Sequence, residues 1–316
     1  MINVTRNIIA NHSKAFRNFI VIVIFLLPFL EGDPSSSIQS HISSKTLNRY
    51  KNLINYLEES SLPRYEIQLL FLDPRVEYYP EIIYNKFTLP KMDRYSNATL
   101  GTETKKYGIQ EFMKQYEKYL SMAKNKYNVE KEAIVAVLIV ETKLGSDIGK
   151  YSVFNVLSSI ALSDEPSSLH ILENHINEKY HYLSFDKRQK LMKIFKERAI
   201  NKANWAKAEM VSLIKLHLES NIDILELPGS YAGAFGYPQF MPTSVLKYGV
   251  DADNDGSVNL FDFPDAILSI GNYLMNKGWN INTTNKRRAL LRYNNSHSYV
   301  ANVLETASSI RNCYPL

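Results

Sequence analysis

Apolar positions along this chain recur mainly at helical spacing. Between Gly108 and Tyr127, Ile109, Phe112, Met113, Tyr116, Tyr119 and Leu120 return at three- and four-residue steps, which predicts one amphipathic helix. From Val129 to Leu144 the pattern fills in. The run Ala133-Ile-Val-Ala-Val-Leu-Ile-Val140 is apolar on every side, as in a helix buried in the middle of a domain, and Gly145 offers its C-terminal cap. Leu47 to Leu62 predicts another helix, Phe185 to Ser220 one or two more, and Ser298 to Ile310 a last one. Residues 63–106 carry Pro63, Pro74, Pro80 and Pro90 and predict short helices and loops, while Ser35 to Ser44 is polar and serine-rich and predicts a linker. The fold class is mainly α.

One segment is more apolar than the rest. Phe19 to Leu30 is continuously hydrophobic, follows Arg6, Lys14 and Arg17, and runs into the polar stretch Glu31 to Ser37. A basic start, a short apolar core and a polar exit fit an export signal over residues 1–33. An uncleaved membrane anchor through residues 19–30 stays open, although the run is shorter than the roughly 20 residues that span a bilayer. No cysteine follows it, so a lipoprotein linkage is not expected. Residues 34–64 then read as a linker and N-terminal helix, and 65–316 as the main domain. An exported protein of the periplasm or cell envelope is expected.

Composition narrows the chemistry. The 316 residues hold 37 Lys and Arg against 32 Asp and Glu, a net charge of +5, too mild to point to nucleic acid. The lone cysteine, Cys313, excludes an internal disulfide and any multi-cysteine metal site. There is no H-E-x-x-H, G-x-S-x-G, Walker A or G-x-G-x-x-G pattern, so zinc, serine-hydrolase and nucleotide chemistry lack support. Seven of the 12 glycines fall between Gly229 and Gly278, which marks a change of texture from long helices to tight turns.

Two places carry candidate chemistry. Glu141 directly follows the eight-residue apolar run, and burial there would raise its pKa towards what a general acid needs at neutral pH. The alternative is a glutamate at the solvated, frayed end of a core helix. Further on, Asp251, Asp253 and Asp255 alternate, with Gly256, Ser257 and Asn259 behind them. This matches the start of an EF-hand loop, D-x-D-x-D-G-x-x-N, whose hard oxygen ligands favour calcium. A solvated acidic turn is the plainer reading.

Four blocks in order give the chain its resemblance. They are Val140-Glu141-Thr142-Lys143-Leu144-Gly145; Gly229-Ser-Tyr-Ala-Gly-Ala-Phe-Gly-Tyr-Pro-Gln-Phe-Met-Pro-Thr-Ser244; Asp251 to Asp262, leading into Asp265 and Tyr273; and Arg292-Tyr-Asn-Asn-Ser296 with Tyr299. Together they resemble bacterial lytic murein transglycosylases, nearest the membrane-bound lytic murein transglycosylase B family (glycoside hydrolase family 103-like). The resemblance implies a lysozyme-like, goose-type helical core in which Glu141 is the single acid/base. It would cleave peptidoglycan glycan strands by letting the muramic acid's own C6 hydroxyl attack C1, so that no second carboxylate is required. Asp147, Asp164 and Glu165 then read as solvated loop charges. It also implies substrate contacts at Ser230, Gln239, Tyr273, Tyr293 and Asn294. For the metal, it implies a structural calcium held by Asp251, Asp253, Asp255, Ser257 and a later aspartate, Asp265, with Asp262 left as a helix N-cap. Gly229, Gly233 and Gly236 would allow tight turns near a ligand. The chain departs from the commonest family pattern at Pro238 and Leu144, which alters the shape of a subsite wall and removes no chemical group. A monomer is expected, and a non-catalytic glycan-binding protein and a hydrolytic lysozyme remain the competing readings.

Overall fold

A computed structural model describes residues 34–82, 108–220 and 222–313. The chain divides into two units, Met1–Asn48 and Arg49–Leu316. The expected export segment, residues 1–33, lies outside the described residues, as does the stretch 83–107. Among the described residues no helix is long and apolar enough to cross a membrane.

The described part of the first unit is helical, the beginning of α1 (Pro34–Glu59). This corrects the linker expected over 35–44. No glycine or proline interrupts the chain between Ser35 and Glu59, so a helix once nucleated can propagate through the serines. In the second unit α1 continues with Tyr50, Leu53 and Leu57 buried, and α2 (Arg64–Leu72) follows. The expected helix over 108–127 is two: α3 (Ile109–Gln115) and α4 (Glu117–Tyr127). The break falls at Tyr116, whose φ of −103° lies outside the helical range. Its ring sits 5.0 Å from Phe263 and 4.8 Å from Phe112, so aromatic packing takes precedence over helical continuity.

The apolar run forms α5 (Lys131–Thr142), with Ala133 through Ile139 all buried. Helices α4, α10 (Phe263–Asn276) and α12 (His297–Cys313) pack around it. Each fully buried Val, Leu or Ile contributes about 1.5–3 kcal/mol, so α5 is the hydrophobic axis of the domain. Two short strands distant in sequence, β1 (Tyr151–Ser152) and β2 (Pro228–Gly229), pair antiparallel with Tyr151 opposite Gly229. Helix α6 (Val153–Ala161) starts from Ser152, whose hydroxyl accepts from the Asn155 amide. Then come α7 (Pro166–Lys179) and α8 (Phe185–Ser220), a single helix of 36 residues. The second half of α8 buries Met210, Leu213 and Ile214, and α8 packs on α6 and on α9 (Pro242–Tyr248). Its first half pairs with α7 over a separate cluster of Leu172, Ile176, Met192, Phe195 and Ala199. Helix α11 (Thr283–Tyr293) leads into α12.

Candidate active site

Local hydrogen bonds hold the turn at the end of α5. The helix stops in three successive left-handed residues, Lys143, Leu144 and Gly145, with φ of 51°, 54° and 83°. The expected cap at Gly145 is therefore a longer turn that begins two residues earlier. The Lys143 and Leu144 amides donate back to Ile139 and Leu138, which satisfies the last helix carbonyls. Two non-glycine residues in this region cost on the order of 1–3 kcal/mol each, so the surrounding contacts must impose it. Buried Thr142 supplies them: its hydroxyl donates to Tyr237 O at 3.0 Å and accepts from the Gly145 amide at 3.2 Å. A Cβ on Gly145 would lie 2.7 Å from the Tyr237 ring, so the glycine is needed both for its φ and for that close approach.

Glu141 sits just before this turn with partial solvent access. Burial of its carboxyl pushes its pKa up to about 7, opposed only by the nearby Tyr299 hydroxyl. No charged group contributes to the shift. The sequence reading assigned no role to Tyr299. Its apolar neighbours at helical spacing, Val300, Val303 and Ala307, make it look like a core residue, and it is indeed buried. The placement of its hydroxyl beside Glu141 is visible only in three dimensions.

The glycine-rich block wraps this end of α5. Gly149 has a φ of 87°, and a Cβ there would meet Gly229 O at 2.2 Å, so β1 and β2 can pair only with glycine at 149. Gly233 and Gly236 adopt positive φ as well. Ser230 closes a tight turn, its hydroxyl accepting from the Ala232 and Ala234 amides and its own amide donating to Ala234 O. Gln239, in a left-handed conformation, donates from Nε2 to Ile148 O at 3.2 Å and Gly236 O at 3.0 Å. It thereby ties the block to the segment after α5. Tyr293 donates its hydroxyl to Pro238 O and stacks on Tyr299 with centroids 6.1 Å apart. Asn294 is the C-cap residue of α11, next to Tyr293. Tyr273 packs edge-on to Tyr293 at 4.8 Å, is only 7% exposed and donates to Arg292 O. Its ring lies within the aromatic cluster and is not an open face.

Of the carboxylates expected to be solvated, exposed Asp147 pairs with Lys143 at 3.7 Å. Asp164 departs from the expectation: it pairs with Lys207 at 2.7 Å, and its Oδ1 is buried. Another carboxylate went unremarked in the sequence. Buried Glu209, on α8, accepts from the Thr243 amide at 2.9 Å and hydroxyl at 2.8 Å, capping α9 from outside. Its pKa is raised by burial, against which those hydrogen bonds act.

In the aspartate loop, carboxylate oxygens of Asp251, Asp253 and Asp265 lie within 4.8 Å of one another. Asp265, 2% exposed in the first turn of α10, accepts from the Ala252 and Asn259 amides. Burial raises its pKa, and the neighbouring charges of Asp253 and Asp251 add to this. The Asp255 carboxylate lies outside that trio. Asp255 Oδ1 instead accepts from the Ser257 amide and hydroxyl. Asp262 occupies the N-cap position of α10 without a side-chain capping bond. The loop connects to the Glu141 region, since the Tyr237 amide donates to Leu260 O and the Tyr237 ring stacks on Phe263 at 4.2 Å. A cavity of about 290 Å³ under this loop is lined by Leu216, Phe235, Val245 and Phe261 and does not include Glu141.

The profile of the Transglycosylase SLT domain family matches residues 76–287, more than half of the chain. The chain belongs to this family. Membrane-bound lytic murein transglycosylase B of Escherichia coli (strain K12) is 31% identical over 186 residues, which is 59% of this chain and 42% of that relative. The chain thus matches less than half the length of that curated relative. The soluble lytic transglycosylase SltB1 of Pseudomonas aeruginosa superposes with a TM-score of 0.64 at 22% identity, covering 84% of this chain and all of that one. The Escherichia coli lytic transglycosylase Slt35, solved in complex with calcium, gives 0.59 at 19% identity over 84% of this chain and 93% of its own. At these identities the two structures show a shared, mainly helical fold.

Proposed function

We propose that the protein is a lytic murein transglycosylase that cuts the β-1,4 bond between N-acetylmuramic acid and N-acetylglucosamine, with Glu141 as its only acid/base. The observation that carries this reading is a carboxyl whose pKa lies near 7 through burial, with no second charged group perturbing it. A protonated Glu141 gives its proton to the glycosidic oxygen as the C1–O bond breaks. The C6 hydroxyl of the same muramic acid then attacks C1, and the Glu141 carboxylate takes up the hydroxyl proton. Atoms balance without water, and the product is a 1,6-anhydromuramic end. Two-carboxylate glycosidases hold their groups about 5–10 Å apart, where each charge would register on the other. Tyr299, with Tyr293 stacked behind it, orients the Glu141 carboxyl. Ser230 and Gln239 fix the loop that faces the sugar, and Tyr273 supports Tyr293 from the core.

The trio Asp251, Asp253 and Asp265 suits a structural calcium. Three hard-oxygen groups converge, one of them buried with its charge penalised by the other two, and a divalent cation relieves that repulsion. Asp265 is the closing ligand in this reading, with Asp262 at the helix start. Family membership, together with the apolar segment at residues 19–30, supports a cell-envelope location.

Digestion of purified murein with mass analysis of the products tests the activity. Anhydromuramic ends are expected. Reducing ends would make the protein a hydrolase, and absence of any product would leave a glycan-binding role.

A further inference from the structure

The hairpin of α7 and the first half of α8 carries features that the chemistry at Glu141 does not use. Residues 179–202 hold eight Lys or Arg against Asp186 and Glu197, a net +6 within 24 residues, while the whole chain is only +5. With Glu173 and Glu178 of α7 included the hairpin carries +4, and its positive charge is concentrated at the turn and the start of α8. At its turn Tyr182 and Phe185 are 69% and 65% exposed, and Ile194 and Ile200 are also exposed on α8. Among the described residues Lys187, Lys190 and Lys193 have no ion-pair partner.

The turn itself is firmly built. Arg188 donates to Leu183 O and to His181 O, the Leu183 amide donates to Tyr180 O, and His181 Nδ1 pairs with Glu178 O. Beneath it lies the cluster of Leu172, Ile176, Met192 and Phe195. An ordered turn that keeps two large aromatic rings in solvent between cations has the composition of an interfacial anchor.

We propose that this hairpin tip docks on the surface of an anionic lipid bilayer. Unpaired lysines suit any polyanion. The exposed Phe185, Tyr182, Ile194 and Ile200 choose among polyanions, because only a bilayer offers an apolar layer directly behind its negative headgroups. Tyr182, with a polar end on an aromatic body, suits the headgroup level, and Phe185 the acyl boundary. The surface is independent of the Glu141 site, and its failure would not touch the proposed activity.

The full-length protein is sedimented with phosphatidylcholine vesicles, with and without phosphatidylglycerol. Binding to the anionic vesicles is expected to be at least about tenfold tighter and to weaken as salt is raised. Two variants, Tyr182→Ser/Phe185→Ser and Lys187→Gln/Lys190→Gln/Lys193→Gln, should each lose most of that preference while digesting soluble murein fragments at the wild-type rate. A third, Phe185→Trp, should gain a blue-shifted emission on anionic vesicles beyond that of Trp205 and Trp279. Wild-type sedimentation of both multiple variants would assign the binding to another segment, residues 19–30 included, and overturn the proposal. So would tip-dependent binding of a soluble anionic polymer with no binding of vesicles.

Discussion

Glu141 lives on a balance between burial and hydrogen bonding. Its folded pKa of about 7 lies above the ordinary 4.5, so folding favours the protonated form. Stability from this group is fully present below pH 4.5 and is lost as pH rises through 7, a total on the order of 3 kcal/mol. Glu141→Gln removes that dependence. The variant should match the wild type in denaturant melts at pH 4 and exceed it at pH 8, and a wild-type pH slope in the variant would refute the buried carboxyl. Its rate of murein release should fall by about 10²–10⁴-fold, the usual range for a lost general acid. The wild-type rate should decline above pH 7 as the acid form disappears. Beside it, Thr142→Val leaves Tyr237 O and the Gly145 amide without their partner. A loss of about 1–3 kcal/mol is expected by chemical denaturation, with most of it recovered in Thr142→Ser. Equal stability of the Val and Ser variants would show that the hydroxyl contributes nothing.

At the level of elements, one long hydrophobic helix and one irregular loop divide the work. Helix α5 supplies rigidity, and the block from Gly229 to Met241 supplies the shape around its end. Their junction is the β1–β2 pair, which depends on Gly149. Gly149→Ala places a methyl group against Gly229 O and forces a positive φ on a side-chain residue. That substitution should lower the melting temperature by several degrees, reflecting about 2 kcal/mol or more. It should also depress murein release, since Gly229 of the pair directly precedes Ser230. A wild-type melt and rate would show that the strand pair is dispensable. The division of 108–127 into two helices at Tyr116, and the unbroken helix through Ser35–Ser44, belong to the same scale. Periodicity reports which face is apolar, whereas aromatic packing and helix cooperativity determine where an element ends.

Charge is segregated across the whole molecule. The mild total of +5 conceals a segment, residues 179–202, at +6 and a loop, residues 251–265, with five aspartates and no Lys or Arg. The acidic loop sits over Tyr237 and Phe263, so neutralising it should stiffen the same wall that holds Thr142. Calcium at about a hundred times its dissociation constant contributes about 2.7 kcal/mol, which raises the melting temperature by several degrees. Asp253→Ala should abolish most of that shift. An unchanged melt on adding calcium would reject the metal site.

The sequence by itself determined the helical class, the buried run that ends at Glu141, the carboxylates Asp251 and Asp253, and the order of the four family blocks. These are local properties: periodicity, residue chemistry and spacing survive in one dimension. Tertiary structure alone decided that Tyr299, 158 positions beyond Glu141, faces its carboxyl, that Tyr273 turns inward, and that Asp265 joins Asp251 and Asp253 while the Asp255 carboxylate stays outside their trio. It also decided that Glu209 caps a helix it does not belong to. Desolvation and hydrogen-bond direction set all of these, and both depend on which atoms the folded chain brings together from distant positions.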